Sequence, residues 1–388
     1  MDTDRRLRVV TGAGGGADVR ASTRAAVGRV AAELDGEQPD LAVAFIGAAY
    51  ADEAKTVRDE VREGLSPGHL IGVTAQGVVV DAKEIEHDDC LSLWTARMPG
   101  ARVEVLRYRL PDVDVQVPDD LDWPVPPEDA SALVVFADPA GFPVDGFLAW
   151  LEQQRPGLPV CGGLASGGSN RLLLDEDILD GGAVAVSLSG VRVRTMVSQG
   201  CRPIGNSYVV TRAERNLVHE LGGVPPLDRV RQMFSEADPA DRDLMRQGLH
   251  VGTVIDEYRE EYGRGDFLVR GVVGAVPDSG ALVLGDLVRV GQTVQFHVRD
   301  KATADQDLRE LLDGFAGGGR PAGGLLFTCN GRGSRLFDVP SHDAGLVHDK
   351  LAGAPLGGFF CAGELGPVGP RSFLHGFTAS LLVVEDEL

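Results

Sequence analysis

Short apolar runs alternate along the chain with amphipathic stretches and glycine-bearing turns, and one series of elements recurs. The first copy is an apolar strand, LAVAFIG (41–47), a helical stretch, ADEAKTVRDEVREGL (51–65), and a second strand, HLIGVTAQGVVV (69–80), with Gly72 and Gly77; CLSLWTARM follows. The second copy is ALVVFADP (132–139), DGFLAWLEQQRPG (145–157) and LPVCGGLASGG (158–168), with Gly162 and Gly167, then GAVAVSLSGVRV. The third is GLLFTCNGRG (324–333), SHDAGLVHDKLAG (341–353) and APLGGFFCAGELG (354–366), with Gly358 and Gly363, then LHGFTASLLVV. From the phenylalanine of the first strand to the first glycine of the second the distance is 27, 26 and 31 residues. A weaker fourth copy starts at LHVGTVIDE (249–257) and runs through DFLVRGVVGAVPDSGALVLGD.

Each unit reads β-α-β-β. The helix returns the chain so that the strands it joins lie parallel, and the added strand, reached by a short turn, lies antiparallel. The expected fold class is α/β: repeated β-α-β-β units forming mixed sheets flanked by helices, four units in two pairs that make two related halves. The Pro- and Asp-rich stretch 110–131 reads as an exposed connection, 218–247 as a broken helical segment joining the halves, and Asp278-Ser279-Gly280 as a hairpin turn.

Near the start, Gly12-Ala13-Gly14-Gly15-Gly16-Ala17 matches a dinucleotide fingerprint, but the next strand ends in Ile46-Gly47-Ala48-Ala49 with no acid to hold a ribose. A flexible glycine loop ahead of a helix is the better reading.

The loop after the first strand differs among copies: FIGAAYA, FADPAGF and FTCNGRG. Ligands of α/β sheets collect at the carboxyl ends of parallel strands, so the polar third loop is the candidate site. Gly331 and Gly333 would let backbone amides approach an anion, Arg332 could pair with a carboxylate, Asn330 offers donor and acceptor, and Cys329 is a thiol in the same turn. Cys361 and Glu364 end the matching second strand, where the other copies have TAQG and LASG; His375 opens the last strand. Arg202, in the polar segment 198–221 with a turn fixed by Pro203 and Gly205, would be a second anion contact or a cap at the end of the strand. The competing readings are structural: Arg332 pairs with an acid, Glu364 fastens the loop, and Cys329 packs as a small hydrophobe.

Charge narrows the partners. Fifty-eight acidic against 37 basic side chains give a net charge of −21, which disfavours nucleic acid and anionic membrane. Five widely spaced cysteines without a CxxC speak against a disulfide framework, and no apolar run of membrane-spanning length occurs. The start lacks the apolar core of a signal peptide, so the expected location is cytoplasmic. Eight scattered histidines show no metal-ligand spacing, and no GxSxG elbow appears, since Ser166 comes one residue late. No metal and no cofactor are expected. A thiol enzyme would use Cys329 or Cys361 with His375 or His342 as base.

Together the segments LIGVTAQGVVV, GCRPIGNSYVVT, TCNGRGSRLF, GGFFCAGELGPVG and FLHGFTASLLV resemble the FIST family, over residues 37–384. The resemblance implies a FIST N-terminal domain at 37–226 and a FIST C-terminal domain at 227–388, preceded at 1–36 by a strand, glycine loop and helix. It implies an intracellular sensory module of signal transduction that binds a small, amino-acid-like ligand and, with no output segment in this chain, acts on a signalling partner in trans. The alternatives are an interaction scaffold without ligand and the thiol enzyme.

Overall fold

The computed structural model describes residues 6–87, 89–110, 122–259, 262–315 and 318–386; half of the expected connection at 110–131, residues 111–121, lies outside them. The chain divides into two compact units. The first holds residues 1–197, 309–374 and 378–388, and the second holds 198–308 with 375–377.

In the first unit the chain begins with β1 (Arg8–Gly15) and α1 (Val19–Glu33), whose N-cap Asp18 accepts a hydrogen bond from the Ala21 amide. Copy one follows as β2 (Leu41–Gly47), α2 (Ala54–Leu65), β3 (His69–Ala75), a hairpin of β4 (Val78–Val80) and β5 (Lys83–Ile85), and β6 (Cys90–Arg97). After β7 (Arg102–Tyr108), copy two is β8 (Ala130–Ala137), α3 (Val144–Gln154), β9 (Val160–Leu164), the hairpin β10 (Leu172–Leu174) and β11 (Asp177–Leu179), and β12 (Ala183–Ser189). Next comes β13 (Arg192–Gln199).

The second unit is a closed six-stranded barrel formed by β14 (Cys201–Glu214), β15 (Leu217–Leu221), β16 (Leu249–Val254), β17 (Phe267–Val276), β18 (Ala281–Leu284) and β19 (Thr293–Arg299), with α4 (Pro226–Glu236) and α5 (Pro239–Gln247) inside the same unit. After α6 (Lys301–Gly314), copy three is β20 (Arg320–Cys329), α7 (His342–Lys350), β21 (Leu356–Cys361), the hairpin β22 (Glu364–Val368) and β23 (Arg371–His375), and β24 (Thr378–Asp386).

The mixed α/β class and the repeated unit are present, with the expected pairing. β2/β3, β8/β9 and β20/β21 are parallel, and β6, β12 and β24 run antiparallel beside β2, β8 and β20. Apolar residues on both faces of the central strands fit their burial: all seven residues of β2 are buried. The repeat phenylalanines meet in one core. Phe45 lies 5.8 Å from Phe136, Phe136 lies 6.1 Å from Phe327, and Phe359 touches all three rings. The first repeat glycine sits opposite the residue before each phenylalanine: Gly72 on Ala44, Gly162 on Val135, Gly358 on Leu326. A Cβ there would meet the facing carbonyl oxygen at 2.8, 1.9 and 1.8 Å, so close strand approach excludes any side chain.

Two departures from the sequence expectation matter. The fourth copy does not exist: residues 249–257 carry barrel strand β16, and the expected two pairs of units become three units plus a barrel inserted between β13 and α6. Residues 226 and 227, where the sequence places the boundary between the two family domains, open α4 within the second compact unit. Each hairpin also leaves its own sheet. β4–β5 of copy one extends the sheet of copy three beside β21, β10–β11 of copy two pairs with β3 of copy one, and β22–β23 of copy three pairs with β9 of copy two. The exchange is cyclic and ties the three copies into one body.

Two local readings also change. The glycine run Gly12–Gly15 is strand, not loop, and it brings α1 onto the sheet, since a Cβ on Gly14 would lie 2.0 Å from the Ser22 carbonyl oxygen. Pro203 and Gly205 lie within β14 at a break in register between Ile204 and Ser207, a bulge rather than a turn. The Asp278-Ser279-Gly280 hairpin forms as expected, with the Gly280 amide donating to Val276 at 2.8 Å.

Candidate functional site

The turns that end the second strand of each copy converge in the first unit. A single hydroxyl stitches them: Ser166 of copy two donates to the Phe360 carbonyl of copy three and accepts from the Gln76 amide of copy one at 3.0 Å. The Leu164 amide donates to Gly363 at 2.8 Å, and the Asn330 amide to Cys361 at 2.9 Å. Ser166, which fails the nucleophile elbow in sequence, is the knot of this junction.

A cleft of about 570 Å³ opens there. Copy one lines it with Ala48, Gln76, Gly77, Glu86 and His87, copy two with Ser166, Gly167 and Gly168, and copy three with Asn330, Ser334, Arg335 and Phe360. Its polar groups are specific. The Asn330 Oδ1 is buried and accepts no hydrogen bond among the described residues. A buried acceptor left without a donor is costly, so the position suits a ligand donor. The Arg335 side chain is exposed and donates from Nη1 to the Asn330 carbonyl at 3.2 Å. Glu86 holds the wall in place, accepting from the Ser334 amide at 2.8 Å and from its hydroxyl at 2.6 Å. His87 pairs with Asp89 at 2.6 Å.

Of the residues expected from sequence, Asn330 lines this cleft. Gly333 lies beside it with φ 58°, so the left-handed residue of the turn is Gly333 rather than Gly331. Arg332 turns inward. Its side chain is fully buried, with Nε 2.5 Å from Asp343 Oδ2 and Nη2 3.0 Å from Oδ1. Phe337 lies 5.3 Å from its guanidinium and stacks on His342 with centroids 3.6 Å apart. Burial pushes the Asp343 carboxyl upward, but the Arg332 charge and the His342 contact override it and hold the group well below the usual carboxylate range. Arg332 Nη1 is buried without a hydrogen-bond partner among the described residues.

Glu364 is equally buried and accepts from the Thr378 amide at 3.2 Å and its hydroxyl at 2.8 Å. Its charge reaches Arg332 and Cys361, yet neither Arg332 nor Glu364 lines the cleft. Rather than facing a ligand, the two belong to a buried polar cluster under the turn. Glu84 of the exchanged hairpin belongs to it, with Oε1 accepting from the Ala344 amide at 3.0 Å. Burial first, then repulsion from Asp343, raises the Glu84 carboxyl to about 7.

Cys361 is fully buried and pairs in register with Cys329, which is half-buried with its Sγ 3.4 Å from the Gly331 amide. Burial and the neighbouring Glu364 charge push the Cys361 thiol well above its ordinary value, which denies it a nucleophilic thiolate. His375 is buried and belongs to the barrel unit, as does Arg202. Arg202 is a structural cation there, held by Asp300 at 2.7 Å and by Asp241.

The residues missed in sequence were the other two turns. TAQG and LASG served only as contrast to the third copy, whereas Gln76 and Ser166 share the cleft with Asn330. The repeat itself carried the signal, since equivalent turns of a cyclic scaffold meet.

The FIST N domain family model matches residues 40–224 and the FIST C domain model residues 226–367. The chain belongs to the FIST family. Similar proteins include the uncharacterized protein Rv0628c of Mycobacterium tuberculosis, 40% identical across 98% of this chain and 100% of that protein. The uncharacterized protein Mb0898c of Mycobacterium bovis is also 40% identical, across 96% of this chain and 97% of that protein. FIST domains are in general sensory domains of signal transduction. No helix among the described residues is long and apolar enough to cross a membrane.

Proposed function

We propose that this FIST protein is a cytoplasmic sensory module that binds a small zwitterion of the amino-acid type in the cleft shared by the three copies, and that the bound state is read by a separate signalling partner. The observation that carries the reading is the buried Asn330 Oδ1, an acceptor without a donor at the wall of a cleft that also holds a cation and a carboxylate. A ligand ammonium would satisfy Asn330 near Glu86, and a ligand carboxylate would pair with Arg335. Arg335 takes the carboxylate-pairing role that the sequence suggested for Arg332. The thiol-enzyme alternative loses support from the burial of Cys361.

The test is a melting screen of the whole chain against the common amino acids, with native mass spectrometry of the protein as purified. A ligand that occupies the folded state raises the melting temperature. The expected result is stabilisation by a subset of zwitterions, lost in Arg335→Ala. No shift with any of them, or a shift with nucleotides that survives Arg335→Ala, overturns the reading.

A further inference from the structure

We propose a second ligand site in the first unit: an arginine-lined cleft at the amino-terminal end of β20 that takes an organic phosphate carrying at least two negative charges. This cleft has a volume of about 930 Å³. Arg6, Arg8, Arg97 and Arg320 line it, against two carboxylates, Glu37 and Asp386. In a chain with 58 acidic and 37 basic side chains, such a local excess of cations runs against composition.

The arginines are also placed where repulsion works against them. Arg8 and Arg97 stand directly opposite each other in the β1/β6 register, and like charges in facing positions of an antiparallel pair are destabilising. Each has an acid of its own, Arg8 with Asp35 at 3.4 Å and Arg97 with Glu37 at 3.5 Å, and Arg8 also donates to the Glu33 carbonyl. The side chains of Arg6 and Arg320 are exposed and form no ion pair among the described residues. A bound polyanion would relieve this repulsion and fill both open guanidiniums.

The chemistry of the lining selects the ligand. Guanidinium forks match phosphate oxygens in pairs. Val9, Ala322 and Pro355 offer apolar wall for an organic body, and the volume suits a small molecule. The acidic remainder of the protein is screened beyond about 8 Å at physiological ionic strength, so the nearby arginines set the local potential.

Calorimetric titration of the full chain with inorganic pyrophosphate, ADP and adenosine tests the proposal. Pyrophosphate and ADP are expected to bind, ADP more tightly, with affinity falling as salt rises, while adenosine gives no heat. Arg320→Gln and Arg6→Gln should each weaken both anions about tenfold, the scale of one lost charge-assisted hydrogen bond, with unchanged melting curves since both side chains are exposed. Arg335→Gln, in the other cleft, should bind as wild type. Absence of binding by both anions overturns the site. So does adenosine binding as well as ADP, full affinity in both Arg320→Gln and Arg6→Gln, or loss of binding in Arg335→Gln.

Discussion

Arg332 and Asp343 form a bidentate pair with both side chains fully shielded from solvent, joining the turn after β20 to the first turn of α7. The residue that the sequence placed in the candidate ligand loop is a structural pin. Removing one member of a buried pair strands the other charge, at a cost of about 3–5 kcal/mol. Arg332→Ala is therefore expected to lose stability on that scale in urea unfolding. The double variant Arg332→Met/Asp343→Leu should recover most of the loss, because neither member of the pair is left buried without its partner. An Arg332→Ala protein that unfolds at the wild-type midpoint contradicts this assignment.

Gly333 is the position in the same turn that requires glycine. Its φ is 58°, and a Cβ would lie 2.7 Å from Glu86 Oε1 and 2.9 Å from Phe360 Cε1. Gly333→Ala should cost about 1–3 kcal/mol from backbone strain. It should also pry Glu86 from Ser334 and deform the cleft wall. The check is paired: chemical unfolding for stability, and the melting shift with whichever zwitterion stabilises the wild type. Stability near wild type with ligand response intact would show that the turn tolerates a left-handed alanine.

How far the sequence could be read follows from which interactions are local to a copy. The parallel pairing of β2 with β3 and the meeting of Phe45, Phe136 and Phe327 were legible because strand, helix and glycine recur at similar spacing. The hairpin exchange was not, since three-residue strands such as β4 and β10 carry no partner preference of their own; packing across copies decides them. The barrel passed for a fourth copy because β16 and β17 have the same apolar runs without the returning helix. In the site, Asn330 was legible as a polar residue at a strand's carboxyl end. The inward turn of Arg332 was not, because Asp343 lies on the following helix and nothing in GRG tells a buried guanidinium from an exposed one.

Glu84 gives the first unit a stability that falls with rising pH. Its carboxyl titrates near 7 in the folded state, against an ordinary value near 4.5. Between those values the folded chain holds a proton that the unfolded chain has lost, so stability declines from about pH 4.5 to about pH 7 and is level above. Asp343 has the opposite sign: its contribution is present above the ordinary aspartate range and is lost as pH falls through that range and below. Glu84→Gln keeps an acceptor for the Ala344 amide and removes the charge. It should be more stable than wild type at pH 8, by roughly 1–3 kcal/mol, and indistinguishable at pH 4.5. Subtracting the two unfolding profiles cancels the titrating groups that do not interact with Glu84; Asp343, whose charge Glu84 feels, does not cancel. A difference that does not grow between these pH values would remove Glu84 as the source.

The barrel should respond to acid in the opposite direction. His250 and His297 face each other in the β16/β19 register, both buried, and both titrate near 4 in the folded unit. Burial is the main cause for each; the Arg299 charge adds to it at His250, and the His250 charge adds to it at His297. An unfolded histidine takes up its proton near 6.5, so between 6.5 and 4 the unfolded chain binds protons that the folded barrel refuses, and stability drops as pH falls through that window. Going from pH 7 to pH 5 should cost the barrel on the order of 2–4 kcal/mol from this pair. Hydrogen exchange resolved by peptide reads it directly, once rates are corrected for the intrinsic pH dependence of exchange. Peptides from β16, β17 and β19 should lose protection at pH 5, and His297→Gln should lose less. Equal protection of those strands at both pH values would mean that the two imidazoles accept protons inside the fold, against the low-dielectric packing around them.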